Sequence, residues 1–133
     1  MERLLREGIP GVEVTRAIVP DEEPRILGAL EAAAAGSPDF ILTTGGTGIS
    51  PRDVTPQATR RFCTSELPGI AEALRAASLR ETPSAMLSRG YAGMHGSTIV
   101  VNFPGSVKAV RLCLSTLLPV MGHALRMVRG EGH

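Results

Sequence analysis

Between Thr44 and Asp53 the chain reads Thr-Gly-Gly-Thr-Gly-Ile-Ser-Pro-Arg-Asp. These residue types can do phosphate chemistry. Adjacent glycines let the backbone take positive φ and aim N–H groups inward, and without Cβ atoms an oxyanion can come close. Successive N–H groups in such a turn make an anion-binding nest. Arg52 supplies a guanidinium fork that matches phosphate geometry. Asp53 repels phosphate unless a cation stands between them, and Mg²⁺ is commonly held by one or two carboxylates plus phosphate oxygens. The stretch is neither a Walker loop nor a G-x-G-x-x-G dinucleotide loop. On residue chemistry alone it also fits a plain strand-to-helix turn in which Asp53 closes an Asx turn.

Other candidates carry an equally ordinary reading beside the functional one. Asp21, after Val19-Pro20, suits a helix N-cap as well as a site. Ser88-Arg89 falls in an apolar stretch, where an arginine needs a partner, so it lines a cleft or forms a structural ion pair. His95 belongs to a turn, His123 to a helix and His133 to the tail. No His, Cys or Asp cluster has zinc-ligand spacing.

Elements must position these residues. Val12–Val19 alternates β-branched residues and predicts a half-buried strand. Asp21 then caps a helix over Glu22 to Ala35 with an apolar face of Ile26, Leu27, Leu30 and Ala34. Phe40–Thr43 predicts a short strand buried on both faces, so the glycine loop lies at a strand's carboxyl end, where ligands of open α/β sheets bind. Thr55-Pro56 predicts an N-cap followed by proline at the first helical position. Pro68-Gly69 opens a further helix. Met86–Met94 and Thr98–Phe103 predict a hairpin joined by His95-Gly96. Pro104-Gly105-Ser106 leads into a last helix that Pro119 should kink or split. Strands alternating with helices predict an α/β domain of three layers, with a mainly parallel sheet flanked by helices and one β-hairpin.

Composition narrows the function. The 133 residues carry a net charge of +1 and 3% aromatics, so neither a basic footprint nor a stacking platform for nucleic acid is present. The length suits one domain. No secretory signal pattern and no apolar run of about 18 residues is visible. Cys63 and Cys113 lie far apart without a CxxC spacing, which reads as two reduced thiols of a cytoplasmic protein.

The segments VPDEEPRI, DFILTTGGTGISPRDVTPQAT, LPGIAEALR, AMLSRGYAG, GSTIVVNFPGS and LLPVMGHAL occur in this order and together resemble the Mog/MoaB-like molybdopterin-binding family of molybdenum cofactor biosynthesis. The likeness runs from about Val12 to Leu125 and includes the branch of the gephyrin G domain and its plant counterpart. The resemblance implies a molybdopterin adenylyltransferase that joins ATP to molybdopterin with Mg²⁺ and releases pyrophosphate, or a non-catalytic molybdopterin-binding module on the same fold. It implies a cytoplasmic homotrimer and a MoeA-like metal-insertion partner. It places Thr44, Gly45, Gly46, Thr47, Gly48 and Arg52 on phosphate, Ser88 and Arg89 on the pterin side, and Pro104, Gly105 and Ser106 beside the site. Asp21 and Asp53 become the catalytic and Mg²⁺-binding carboxylates. Two departures stand out. Gln57 replaces the glutamate of the family's TPEAT. Relatives also begin with a further strand ending in Ser-Asp, so the resemblance implies a single domain over residues 1–133 that lacks this strand.

Overall fold

A computed structural model of the chain describes residues 1–131. Five helices and four strands follow in the order α1 (Glu2–Gly8), α2 (Glu23–Ala34), β1 (Phe40–Thr44), α3 (Thr55–Phe62), β2 (Ser65–Glu66), α4 (Pro68–Leu79), β3 (Ala92–His95), β4 (Thr98–Phe103) and α5 (Val107–Val128). The tail position expected for His133 lies outside the described residues.

The strands form one sheet in the order β1-β4-β3-β2. β1 runs parallel to β4 with Thr43 opposite Asn102 and Thr44 opposite Phe103. β4 and β3 form the expected antiparallel hairpin, and β2 adds antiparallel to β3. The sheet is therefore mixed, with a single parallel pair, because the hairpin and the short return strand supply the other two ladders. Residues 40–44 form a strand as expected, but not one buried on both faces. β1 is an edge of the four-stranded sheet and only half-buried, whereas every residue of β4 is buried.

Alternation along β4 decides the layers. Ile99, Val101 and Phe103 face a core completed by α1, α4 and α5, including Leu74, Val110, Leu114 and Leu117. Val100 faces the opposite side, where Ile26 and Leu30 of α2 meet Ala58 and Phe62 of α3. The two helical layers enclose the sheet, as the sequence pattern implies.

Four local expectations change. Val12–Val19 forms no strand. Its alternation serves packing: Val12, Val14 and Val19 lie against the two cores, while Ile18 is 97% exposed. Met86–Met94 is not one strand. A 3₁₀ turn occupies Pro83–Leu87, and the ladder starts only at Ala92. Between them the Ser88 hydroxyl accepts from the Gly90 N–H, a local bond that competes with strand pairing. Pro119 does not split α5, which runs unbroken over 22 residues. Finally, Asp21 does not cap α2. Glu22 holds that position without a side-chain bond, and Pro24 sets the helix start.

Candidate active site

The carboxyl ends of the parallel pair β1 and β4 build the site. After β1, Gly45 continues the ladder by donating its N–H to the Phe103 carbonyl at 3.0 Å, then turns away at φ 85°. Gly46 follows at φ 70°. A Cβ there would lie 2.3 Å from the Thr55 Oγ1 and 3.8 Å from an Asp21 carboxylate oxygen. Only glycine fits this backbone, and the geometry sets Asp21 against the loop. After β4, Gly105 abuts Gly45: a Cβ on Gly105 would stand 3.4 Å from the Gly45 Cα. The two strand-end loops thus touch backbone to backbone.

Asp53 lies against the loop two residues further on. A Cβ on Gly48 would lie 2.9 Å from the Asp53 Oδ2. That oxygen accepts from the Ser50 N–H at 2.9 Å, and the Asp53 N–H donates to the Ser50 carbonyl at 2.9 Å. Asp53 therefore closes a tight turn, but by reaching back to Ser50 and not forward as in an Asx turn. Thr55 is the first residue of α3, not its cap; Val54 takes the cap position. The Thr55 N–H donates to the Gly46 carbonyl, tying the helix start to the loop.

A cavity of about 260 Å³ opens beside the loop. Thr47, Gly48, Ser88, Pro104 and Ser106 line it, with Leu74 and Cys113 on the helical side. Burial pushes the Cys113 thiol up, an effect partly opposed by its contact with Ser78. A depression of about 500 Å³ among Glu2, Arg3, Arg6, Glu7 and Arg16 shares no residue with the loop and is exposed, ion-paired surface.

The remaining candidates divide. Thr44 ends β1 in an exposed position. Ser106 caps α5 by accepting from the Ala109 N–H at 3.1 Å. Arg52 is exposed, and its guanidinium makes no hydrogen bond or ion pair among the described residues, which leaves it available to a ligand. Arg89 is committed to the protein. It donates from Nε to the Gly48 carbonyl at 2.8 Å, and from Nη2 to the Asp53 carbonyl and to the Gln57 Oε1. His95 does not sit in the turn: it ends β3 and stacks on Phe62 with ring centroids 4.0 Å apart.

Two contributors escape a sequence reading. Arg75 donates to the Gly90 carbonyl at 2.8 Å, holding the segment that bears Ser88 and Arg89. Asn102, buried in β4, donates to the hydroxyls of Thr43 and Thr59 and accepts from the Tyr91 N–H. The one available signal is an amide inside the apolar run Ile-Val-Val-Asn-Phe, since a buried amide needs partners.

Residues 1–123 match the family model described as a probable molybdopterin binding domain. The chain belongs to this molybdopterin-binding family. Its fold is similar to the molybdopterin biosynthesis enzyme MoaB of Thermus thermophilus, with TM-score 0.83 and 46% identity over 98% of this chain and 84% of that one. The molybdopterin adenylyltransferase of Helicobacter pylori is 40% identical over 70% of this chain and 53% of its own length. The molybdenum cofactor synthesis protein cinnamon of Drosophila melanogaster is 39% identical over 96% of this chain and 22% of its own length. The chain thus spans about half or less of these two curated relatives.

Proposed function

We propose that the chain is a molybdopterin adenylyltransferase acting in molybdenum cofactor biosynthesis. The observation that carries this reading is the placement of Asp21 against Gly46 and of Asp53 against Gly48 in a glycine loop at the ends of a parallel strand pair, where the loop's Thr47 and Gly48 line a cavity. The curated relative from Helicobacter pylori, which bears this activity in its name, supports it.

The reaction forms a bond between a phosphate oxygen of molybdopterin and the α-phosphorus of ATP, and breaks the bond to pyrophosphate. Such a transfer needs positioning and charge stabilisation more than a protein nucleophile. Gly45, Gly46, Thr47 and Gly48 would receive phosphate oxygens, and Arg52 would add its free fork. Thr44, Ser88, Pro104, Gly105 and Ser106 would border the bound substrates.

The donor set fits Mg²⁺. One Asp53 oxygen lies outside the Ser50 bond, and the Asp21 carboxylate makes no hydrogen bond among the described residues. Among the described residues no group of three or more ligating side chains gathers; one or two carboxylates with substrate phosphates are the usual Mg²⁺ donors. When bound, Mg²⁺ would neutralise phosphate charge; the two aspartates would hold and orient it. A homotrimer, a MoeA-like metal-insertion partner and a cytoplasmic setting accompany this reading. For the described residues, no helix is long and apolar enough to cross a membrane.

Pyrophosphate release from ATP, dependent on molybdopterin and Mg²⁺, tests the proposal. Asp53→Ala and Asp21→Ala should each lower the rate on the order of 10²–10³-fold with unchanged circular dichroism. Binding of molybdopterin without turnover in the parent chain would replace this reading with a binding module.

A further inference from the structure

We propose that Arg89 is a positioning residue that straps the glycine loop to α3, and that the side chain at position 57 sets the tension of the strap. The resemblance implies a substrate contact for Arg89, and in this fold its Nε–H and Nη2–H groups bond the protein itself. Its main-chain N–H donates to the Thr47 carbonyl at 2.7 Å. Its guanidinium bonds the Gly48 carbonyl, the Asp53 carbonyl and the Gln57 amide oxygen. One residue thus joins the loop after β1, the turn that bears Asp53 and the first turn of α3. The residues on either side of it, Ser88 and Gly90, line the cavity. Thr47 and Gly48 of the loop line it as well, so the strap and the loop border the same cavity.

The arginine is required because three acceptors lie around one planar fork. A lysine brings the same charge as a point and cannot span them. The bond to Gln57 is the longest, at 3.3 Å, and its acceptor is neutral. A glutamate there adds charge on the acceptor to that already on the guanidinium, turning the bond into an ion pair, which shortens and strengthens it. Gln57 is thus the weak member of the strap in this chain, and the natural place to tune it.

The consequence for turnover rests on the adenylyl-transfer reading; the loop geometry does not. Amide hydrogen exchange of the ligand-free protein tests the geometry directly, read at the hydrogen-bonded N–H groups of Gly45, Ser50, Asp53 and Thr55. Arg89→Lys should speed their exchange at least about tenfold while the amides of β4 stay unchanged, as expected for a local opening. Gln57→Glu should slow it about threefold, and should do nothing when Arg89 is replaced by Met, the signature of a coupled pair. Exchange that stays within twofold of the parent in Arg89→Lys overturns the strap. Slowing by Gln57→Glu that survives in the Arg89→Met background overturns the role of position 57. MgATP titration of the same proteins separates the two readings. A parent that binds no MgATP, with the exchange pattern as expected, refutes the adenylyl-transfer reading and leaves the strap standing. A parent that binds MgATP, with Arg89→Lys weakening binding but leaving exchange unchanged, returns Arg89 to direct ligand contact.

Discussion

The two faces of the sheet are built from the same strands and do different work. On one face Ile99, Val101 and Phe103 of β4, with Phe40 and Leu42 of β1, pack on α1, α4 and α5; the strand residues on it are apolar, and the buried Ser78 of α4 meets only the Cys113 sulfur. On the other, Val100 is flanked by Thr98 and Asn102, and β1 contributes Ile41 and Thr43. There Thr98 donates to the Pro38 carbonyl at 2.7 Å and Asn102 bonds Thr43 and Thr59. The apolar face anchors the sheet by burial, which is non-directional. The polar face fixes register and the take-off of the site loops by hydrogen bonds, which are directional. Substitutions that hit one face or the other should therefore differ in kind, and not only in size.

The largest effect belongs to the apolar face. Phe103 is fully buried at the end of β4. Phe103→Ala should cost about 3–5 kcal/mol from lost burial and the cavity left behind. Thr44, its register partner on β1, is exposed. Thr44→Ala should stay within about 0.5 kcal/mol, as surface changes do. Urea unfolding of the two variants checks this. Comparable losses at both positions would erase the distinction between a packed strand and an edge strand.

The next effect falls on the polar face. Asn102→Ala leaves the Tyr91 N–H without its partner and strips one bond from each threonine hydroxyl. The cost should be roughly 1–3 kcal/mol, the range for stranding buried polar groups. Thr43→Val removes a single partner of Asn102 and should cost about 1 kcal/mol. The double variant should fall short of the sum, because both changes break the same bond. Additive losses would mean that Asn102 stabilises by its volume, making the two faces alike.

The contrast also explains what could be read from the sequence. The apolar layers were legible: Ile26, Leu30, Leu114 and Leu117 recur at helical spacing, and periodicity is a local property. The glycine loop was legible because Gly-Gly after a strand is a local backbone signal. Val12–Val19 misled because alternation specifies an extended backbone but not a neighbour to pair with. The mixed sheet was hidden for a similar reason, since a two-residue strand such as Ser65–Glu66 carries almost no pattern. Arg89 was picked out but its role was not, because its acceptors lie between 32 and 41 residues away in sequence. Asn102 went unnoticed because its partners come from β1, α3 and the approach to β3, and no spacing rule joins them.

The smallest effect distinguishes the faces by pH. Each carries one cysteine: Cys113 is buried in the apolar core, and the half-buried Cys63 packs against the cluster around Val100. Burial pushes the Cys63 thiol from its ordinary 9.0 up to about 11. Folding thus favours the protonated thiol. Below about pH 9 both folded and unfolded chains hold that proton, and the thiol contributes no pH dependence. Between about 9 and 11 the unfolded chain has released it while the folded chain has not, so stability falls as pH rises through this window. Cys63→Ser removes this contribution, while the raised thiol of Cys113 remains. Melting temperatures of the parent and of Cys63→Ser, followed from pH 8 to about 11, should therefore converge as pH rises. Parallel curves would mean that the Cys63 thiol is as well solvated in the fold as in the unfolded chain. The face that bears the site would then be open to water at the end of α3, as the exposed strap between Arg89 and Gln57 already is at its start.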